Sequence, residues 1–505
     1  MKKRHALTIF GIILIALQFI SCGGPKVSED NAVLLPVEND PTISFRLWFK
    51  VGSQNDPSGK EGLAYITANM ISDAATTNRS YEQILEELYP LAAHINSQAY
   101  IEQTIIAGRV HKDKLDKYYN LLTDVVLHPA FKEDDLQRIK SEVLNYLENS
   151  LRYSNDEELG KSALYNFVYD GTPYGHIPEG AVESVQSITV DDVRDFYTKF
   201  YTRDNVVIGL GGGFNPSLVS RLQEDLGQLP ATEVDNANPS IDYKPIHGKQ
   251  IKIVEKDANA TAISIGFPID LTRENRDWYA LALANSWFGE HRNSSSHLYD
   301  VIREKRGLNY GDYSYIERFP NGGHRTMPPQ NVALRQQMFE IWIRPVPNET
   351  RMFSLRSALR ELDKLVDNGL SKEDFELTQN FYSKYVLHYA PTTMARLGYA
   401  LDDKFYGVDG SHLEKLRTII PDLTREEVNA AIKKYLQTDN MKIAIVTNNA
   451  EEMKMAMVND TPSPISYGTP KSDMVYAEDQ QIEKYPLNIE AEDVTIVPVD
   501  SMFQR

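Results

Sequence analysis

Cysteine is nearly absent, with Cys22 the single one in 505 residues. One thiol excludes an internal disulfide framework and any cysteine-based zinc cluster. Histidine is sparse as well. The 11 histidines are scattered, and the closest pair, His291 and His297, lies in a Ser-rich stretch. No two are four positions apart, the spacing that puts two imidazoles on one helix face. Positive charge is in deficit, 53 Lys+Arg against 71 Asp+Glu, for a formal net charge of −18. That excludes a general nucleic-acid binder, which needs a basic face to release counterions from phosphate. After Ile20 no apolar run approaches the ~20 residues that span a bilayer.

What is present begins at the amino terminus. Lys2, Lys3 and Arg4 precede an apolar run from Leu7 to Ile20, too short to favour a spanning helix and suited to a signal-peptide core. It ends in Phe19-Ile20-Ser21-Cys22-Gly23-Gly24, which resembles a bacterial lipobox. The expectation is a signal peptide over 1–21, acylation of Cys22, and a tether over 22–39 holding the fold to a membrane of the bacterial cell envelope. The alternative is an ordinary signal peptide with a chance cysteine.

The chain also repeats itself. Ser187-Ile188-Thr189-Val190-Asp191-Asp192-Val193 returns as Asp422-Leu423-Thr424-Arg425-Glu426-Glu427-Val428, and the match continues through an amphipathic helix to Asp204-Asn205 and Asp439-Asn440. Both ends are displaced by 235 positions (188 to 423, 205 to 440). Each Thr suits a helix N-cap with acids in the following turn, and an apolar strand follows each Asp-Asn, Val206 to Leu210 and Lys442 to Val446. Lys132-Glu133-Asp134 is echoed by Lys372-Glu373-Asp374. Equal spacing over a helix and a strand points to duplicated domains. The expected division is an N-terminal domain over 40–225, a Pro-containing linker over 226–249, a C-terminal domain over 250–465 and a tail over 466–505. In the tail, Val494 to Val499 suits a strand-like appendage or a partner contact. Ile43, Phe45, Leu47, Phe49 and Val51 alternate with Ser44, Arg46, Trp48 and Lys50, the pattern of a half-buried strand. Helical patterns follow at Leu136 to Leu147 and Met352 to Val366. The fold class is α+β, a sheet layered with helices in each half.

Several segments now carry a family resemblance. Val51-Gly52-Ser53, Asp56-Pro57, Gly59-Lys60 and Gly62-Leu63-Ala64 are similar to the opening of a catalytic domain of the insulinase/pitrilysin metallopeptidase family. Ala93-His94-Ile95-Asn96 to Glu102-Gln103-Thr104, Phe131 to Glu148, Pro173-Tyr174-Gly175 and Ser187 to Asn205 continue the likeness. Ser296-His297-Leu298-Tyr299 and Ile302-Arg303-Glu304-Lys305-Arg306-Gly307-Leu308-Asn309-Tyr310 resemble a later segment of the family. The resemblance covers about residues 40 to 460 and implies two homologous halves forming a clamshell around a chamber for peptides.

Active members carry H-x-x-E-H on the helix after Gly-Leu-Ala: two imidazoles converge on zinc and the Glu holds the attacking water. Here the five positions read Tyr65-Ile66-Thr67-Ala68-Asn69. Tyr65 and Asn69 are poor zinc ligands, and Ala68 cannot move a proton. Counting back from Pro173-Tyr174-Gly175 places Glu148 at the third ligand position. Alone it is a solvated helix residue, and no metal role is expected of it.

The second half is read differently. In the family an Arg and a Tyr seven residues apart reach across the chamber to the substrate carbonyl, and Arg303 and Tyr310 keep that spacing. Ser296 to Lys305 is helical in character, Gly307 suits a C-terminal cap, and Tyr310 to Ile316 reads as a strand. The resemblance makes Arg303, Tyr310 and Asn96 the expected substrate-binding residues. It also offers a precedent for two-chain enzymes in which one chain brings zinc and the other brings the Arg/Tyr pair. The expected function is therefore the non-catalytic, substrate-binding subunit of a heteromeric zinc peptidase. It would bind peptide or unfolded polypeptide beside a homologous subunit with an intact motif, with zinc only in that partner. A stand-alone pseudopeptidase that binds or scaffolds is the alternative, and an active zinc endopeptidase a third.

Overall fold

The computed structural model describes residues 25–231, 234 and 239–505, so Cys22 and the signal segment lie outside the described residues. Each repeat builds a sheet. In the first half β1 (Ala32–Pro36), β2 (Thr42–Phe49), β3 (Ile95–Ala99), β4 (Thr104–His111) and β5 (Val206–Gly212) pair in the order β1-β5-β2-β4-β3. In the second half β6 (Lys249–Glu255), β7 (Ala260–Ile269), β8 (Asp312–Tyr315), β9 (Gln337–Pro347), β10 (Met441–Thr447) and β11 (Val494–Pro498) pair in the order β11-β6-β10-β7-β9-β8. Without β11 the two orders are the same. Apart from β11, each has one parallel pair, β1 with β5 and β6 with β10, and is otherwise antiparallel; β11 adds a second parallel pair, with β6.

The helices that bear on the site are α1 (Leu63–Ser72), α2 (Glu133–Asn145), α3 (Asp156–Val168) and α4 (Val190–Phe200) in the first half. Their counterparts in the second half are α5 (Arg276–Gly289), α6 (Lys372–Tyr385), α7 (Thr393–Tyr406) and α8 (Arg425–Tyr435), with α9 (Asp473–Ile482) in the tail. The repeated threonines do cap. Thr189 Oγ1 accepts from the Asp192 amide at 3.2 Å while the Asp192 carboxylate accepts from the Thr189 amide at 2.8 Å. Thr424 and Glu427 repeat both bonds at the same distances, two reciprocal capping boxes. The α+β class and the two-halved architecture follow directly.

The halves exchange helices. α3 packs on β7 and β10 of the second sheet, and α7 packs on β1, β2 and β5 of the first. Both carry Leu-Gly at the contact, Leu159-Gly160 and Leu397-Gly398. A Cβ on Gly160 would stand 3.4 Å from Ser264 Oγ and 3.7 Å from Val446, and one on Gly398 only 2.7 Å from Gln330 Cβ. This exchange corrects the reading of β2. Its residues are buried on both faces from Ile43 on, because α7 and its neighbours cover Ser44, Arg46 and Trp48. Trp48 meets Phe405 at 5.9 Å between ring centroids, and the Arg46 guanidinium donates to Asn331.

The N-terminal end of the chain departs from expectation. The stretch read as tether contains β1, whose backbone groups are paired along β5. The tail forms the strand expected near Val494 to Val499. β11 extends the second sheet along β6, and Val499, Met502 and Phe503 then enter the first-half core. There Arg152 Nε donates to the Met502 carbonyl at 2.8 Å, and the Val182 and Glu183 amides donate to Phe503 O at 2.9 Å and Gln504 O at 3.0 Å. Among the described residues no helix is long and apolar enough to cross a membrane.

Candidate functional site

α1 is positioned by two residues before it. Gly62 has φ +99°, and an added Cβ would lie 2.7 Å from the Glu179 carbonyl, so the close approach requires glycine. The enclosed Asp56 carboxylate accepts the Gly62 amide at 2.8 Å and the Ala64 amide at 2.7 Å, satisfying donors that the first turn leaves free. Of the three positions that matter, Ala68 is buried and Tyr65 and Asn69 are half-buried. Asn69 turns back on its own helix, its Nδ2 donating to the Tyr65 carbonyl at 2.8 Å. Burial, with the Glu179 charge nearby, pushes the Tyr65 hydroxyl up to about 12.

Tyr65 opens onto a cavity of about 260 Å³. Beside it stands Tyr146, first residue of the π-helical turn Tyr146–Ser154 that continues α2. The edge strand β3 and the residue after it form one wall through Ser97, Gln98, Ala99 and Tyr100, and among the described residues β3 pairs with β4 alone. The second half closes the cavity through Arg318, Asn321 and Arg325. Arg325 Nη2 donates to Tyr100 Oη at 3.4 Å, and the Asn321 amide to Glu158 Oε2 at 3.3 Å. Two buried polar atoms at this junction, Glu158 Oε1 and Arg318 Nη1, have no partner among the described residues. Burial also raises the Glu179 carboxyl.

The sequence-derived sites separate here. Glu148 is half-buried and does not line the cavity. Tyr146, two residues earlier, occupies the place facing Tyr65 where the third ligand was expected. Residues two apart on a helix do not share a face. Asn96 lies half-buried on β3, opposite Ala107, one position before the part of the strand that lines the cavity. Arg303 and Tyr310 do come together. The Arg303 guanidinium lies over the Tyr310 ring at 5.7 Å, and Gly307 (φ +72°) closes the turn between them, its amide donating to the Arg303 carbonyl at 2.7 Å. Tyr310 is 78% exposed and precedes β8 rather than opening it. Neither residue lines the Tyr65 cavity.

Two family models match, insulinase (peptidase family M16) over residues 32–177 and the peptidase M16 inactive domain over residues 187–382. The chain belongs to the insulinase family. Within it, the chain is similar to an "uncharacterized zinc protease" of Rickettsia felis, 26% identical over 68% of this chain and 84% of that protein. It is also similar to the "non-peptidase homolog YmxG" of Helicobacter pylori, 20% identical over 89% of this chain and 100% of that one. Among solved structures, a peptidase M16 inactive domain from Pseudomonas fluorescens superposes with a TM-score of 0.73 at 23% identity, covering 83% of this chain and 96% of that one. These likenesses confirm the two-halved fold.

The zinc that insulinase-family motifs hold does not fit the residues at this place. A phenol raised to about 12, a methyl, and an amide already donating to the backbone offer no anionic or imidazole ligand set. Tyr146, which sequence reasoning missed, adds a second phenol raised by burial. Among the described residues no group of three His, Cys, Asp or Glu side chains is placed to hold a metal ion. Arg318 and Arg325 had no signal, because they reach the cavity only through the docking of the halves. To the cavity the arrangement presents a strand edge unpaired among the described residues, together with carboxylates and guanidinium groups.

Proposed function

We propose that this insulinase-family chain is a non-catalytic peptide-binding subunit of a heteromeric zinc peptidase at the bacterial cell envelope, with zinc only in a homologous partner. One observation carries the reading. The motif positions have become Tyr65, Ala68 and Asn69, with Tyr146 facing them, while the cavity and the unpaired β3 edge beside them persist. An extended peptide would add to β3 as a strand, a mode with little sequence preference. The unpartnered Glu158 and Arg318 atoms offer an acceptor and a donor to its backbone. The lipid on Cys22 would anchor the complex. A stand-alone binding protein is the second reading, and it draws on the closure of the cavity by this chain's own Arg318 and Arg325.

The test is affinity isolation of the tagged chain from envelope membranes, followed by peptide cleavage assays on the isolated complex. The expected partner is a homologue with an intact H-x-x-E-H motif. Arg303→Ala or Tyr310→Phe should lower cleavage about a hundredfold, the cost of removing one donor to a developing oxyanion, with assembly retained on gel filtration. Unchanged kcat and KM in both variants would overturn the subunit reading. Stoichiometric zinc with chelator-sensitive hydrolysis by this chain alone would overturn both.

A further inference from the structure

A second cavity, of about 70 Å³, lies inside the second half between α5, α6, α7 and β8. Its walls are largely aromatic and include Trp278, Tyr382, Tyr389, Tyr399 and His412. Glu290 also lines it, at the residue that ends α5, and is 6% exposed. Ser286 and the His291 backbone lie beside its carboxyl, and among the described residues no Lys, Arg or His nitrogen lies within ion-pair distance.

None of the other charged groups there pairs with Glu290. Arg273 is held by Glu317 at 2.8–3.2 Å and lies 3.7 Å from Asp402. Arg318 directs its guanidinium to the first half, over Tyr165 at 5.2 Å and Tyr100 at 5.9 Å. The His291 ring is occupied on both sides, by Tyr315 Oη at 2.8 Å and the Arg325 carbonyl at 3.0 Å, and burial keeps it neutral by lowering it to about 4. His412, with Nδ1 3.1 Å from Tyr279 Oη, is likewise held neutral by burial. Glu290 is thus the one acid of the cavity without a cation. Burial with no compensating charge pushes its carboxyl up to about 7.

A carboxylate without a counter-charge, enclosed by π faces, is a receptor for a cation. At ~10–15 Å³ per enclosed water, the volume suits about five waters, or an ammonium head with a few methylenes. We infer that the cavity between α5 and α6 is a binding site for a primary alkylammonium group, with Glu290 as counter-ion and the Tyr382, Tyr389 and Tyr399 rings around it. The group can come from a free small amine or from the lysine side chain of a bound polypeptide. The second source alone rests on the peptide-binding reading above.

The probe is n-butylammonium, with n-butanol as neutral isostere, followed by calorimetry on the full soluble chain. The wild type should bind butylammonium saturably and n-butanol at least tenfold more weakly. Glu290→Gln, which keeps shape and removes charge, should weaken butylammonium binding at least tenfold, the order expected for one charge-assisted contact. Its melting temperature should stay at or above the wild-type value, since an unpaired buried charge is removed. Equal binding by wild type and Glu290→Gln, or no saturable binding at millimolar concentration, overturns the site. A lysine-containing peptide and its norleucine analogue then separate the sources. Preference for the lysine peptide that is lost in Glu290→Gln assigns a side-chain pocket. Binding of butylammonium with no such preference assigns a free-amine site and leaves the peptide reading to its own test.

Discussion

Removing residues 499–505 is a severe test of how the tail holds the first half. Val499, Met502 and Phe503 are 7%, 7% and 5% exposed. Burying such a side chain contributes roughly 1.5–3 kcal/mol, and a compact denatured chain reduces that by about 10–40%, leaving about 3–8 kcal/mol for the three. The truncation also strips the 5%-exposed Arg152 of the Met502 carbonyl and of Gln504 Oε1. Orphaning a buried charged donor adds about 1–3 kcal/mol. The total is comparable with the roughly 5–15 kcal/mol that stabilises a whole domain. At about 2–4 °C per kcal/mol for a unit the size of the first half, the midpoint should fall by on the order of 10 °C or more. Thermal unfolding by circular dichroism reads the shift, and limited proteolysis should show new cleavage near Tyr146–Ser154. A midpoint within about 3 °C of wild type, with unchanged proteolysis, would refute the reasoning.

Other outcomes follow from separate features. Gly160→Ala should be neutral or stabilising by up to about 1 kcal/mol, since alanine favours a helix and its Cβ meets only ordinary contacts. Gly160→Leu should cost about 1–3 kcal/mol by overpacking the α3 contact with the second sheet; equal denaturation midpoints for the two variants would contradict the exchange. His412 is held well below its ordinary 6.5 by burial, then by Arg273 and Lys415. A base depressed in this way contributes stability that is complete above about 6.5 and lost as pH falls. The wild type should therefore lose stability relative to His412→Gln between pH 7.5 and 5, and a constant difference in urea midpoints would show otherwise. Cys22→Ser should move the protein out of the membrane fraction or leave an unprocessed precursor; unchanged, fully processed membrane association would exclude a lipid anchor.

The repeat was legible in the sequence because capping is local. Thr189 with Asp192, and Thr424 with Glu427, declare a helix start within four residues whatever packs around it. Loss of the metal motif was legible for the same reason. The third ligand position was not. Counting back from Pro173-Tyr174-Gly175 lands on Glu148, whereas Tyr146, two residues earlier at the start of the π-helical turn, is the one that lines the cavity. The burial of Ser44, Arg46 and Trp48 was hidden as well, because alternation along one strand says nothing about a helix 350 residues away. Leu159-Gly160 and Leu397-Gly398 carried a faint hint of that contact, which is recognised as a matching pair only once both helices are seen on the opposite sheets.

The exchanged helices change what a half means. α3 covers Ala262, Ala444 and Val446, which belong to the first-half core although they lie on the second sheet. Leu401 of α7 does the same for Trp48, Ile105 and Val207. Two separate chains that lent each other one helix apiece would form an isologous two-fold dimer with swapped arms, and this protein has the geometry of such a dimer joined end to end. Joined in this way, the copies no longer have to remain alike. One can lose its metal ligands while still supplying the arm its neighbour folds around. Neither half is then a module that can be cut out and kept, because each carries part of the other's interior.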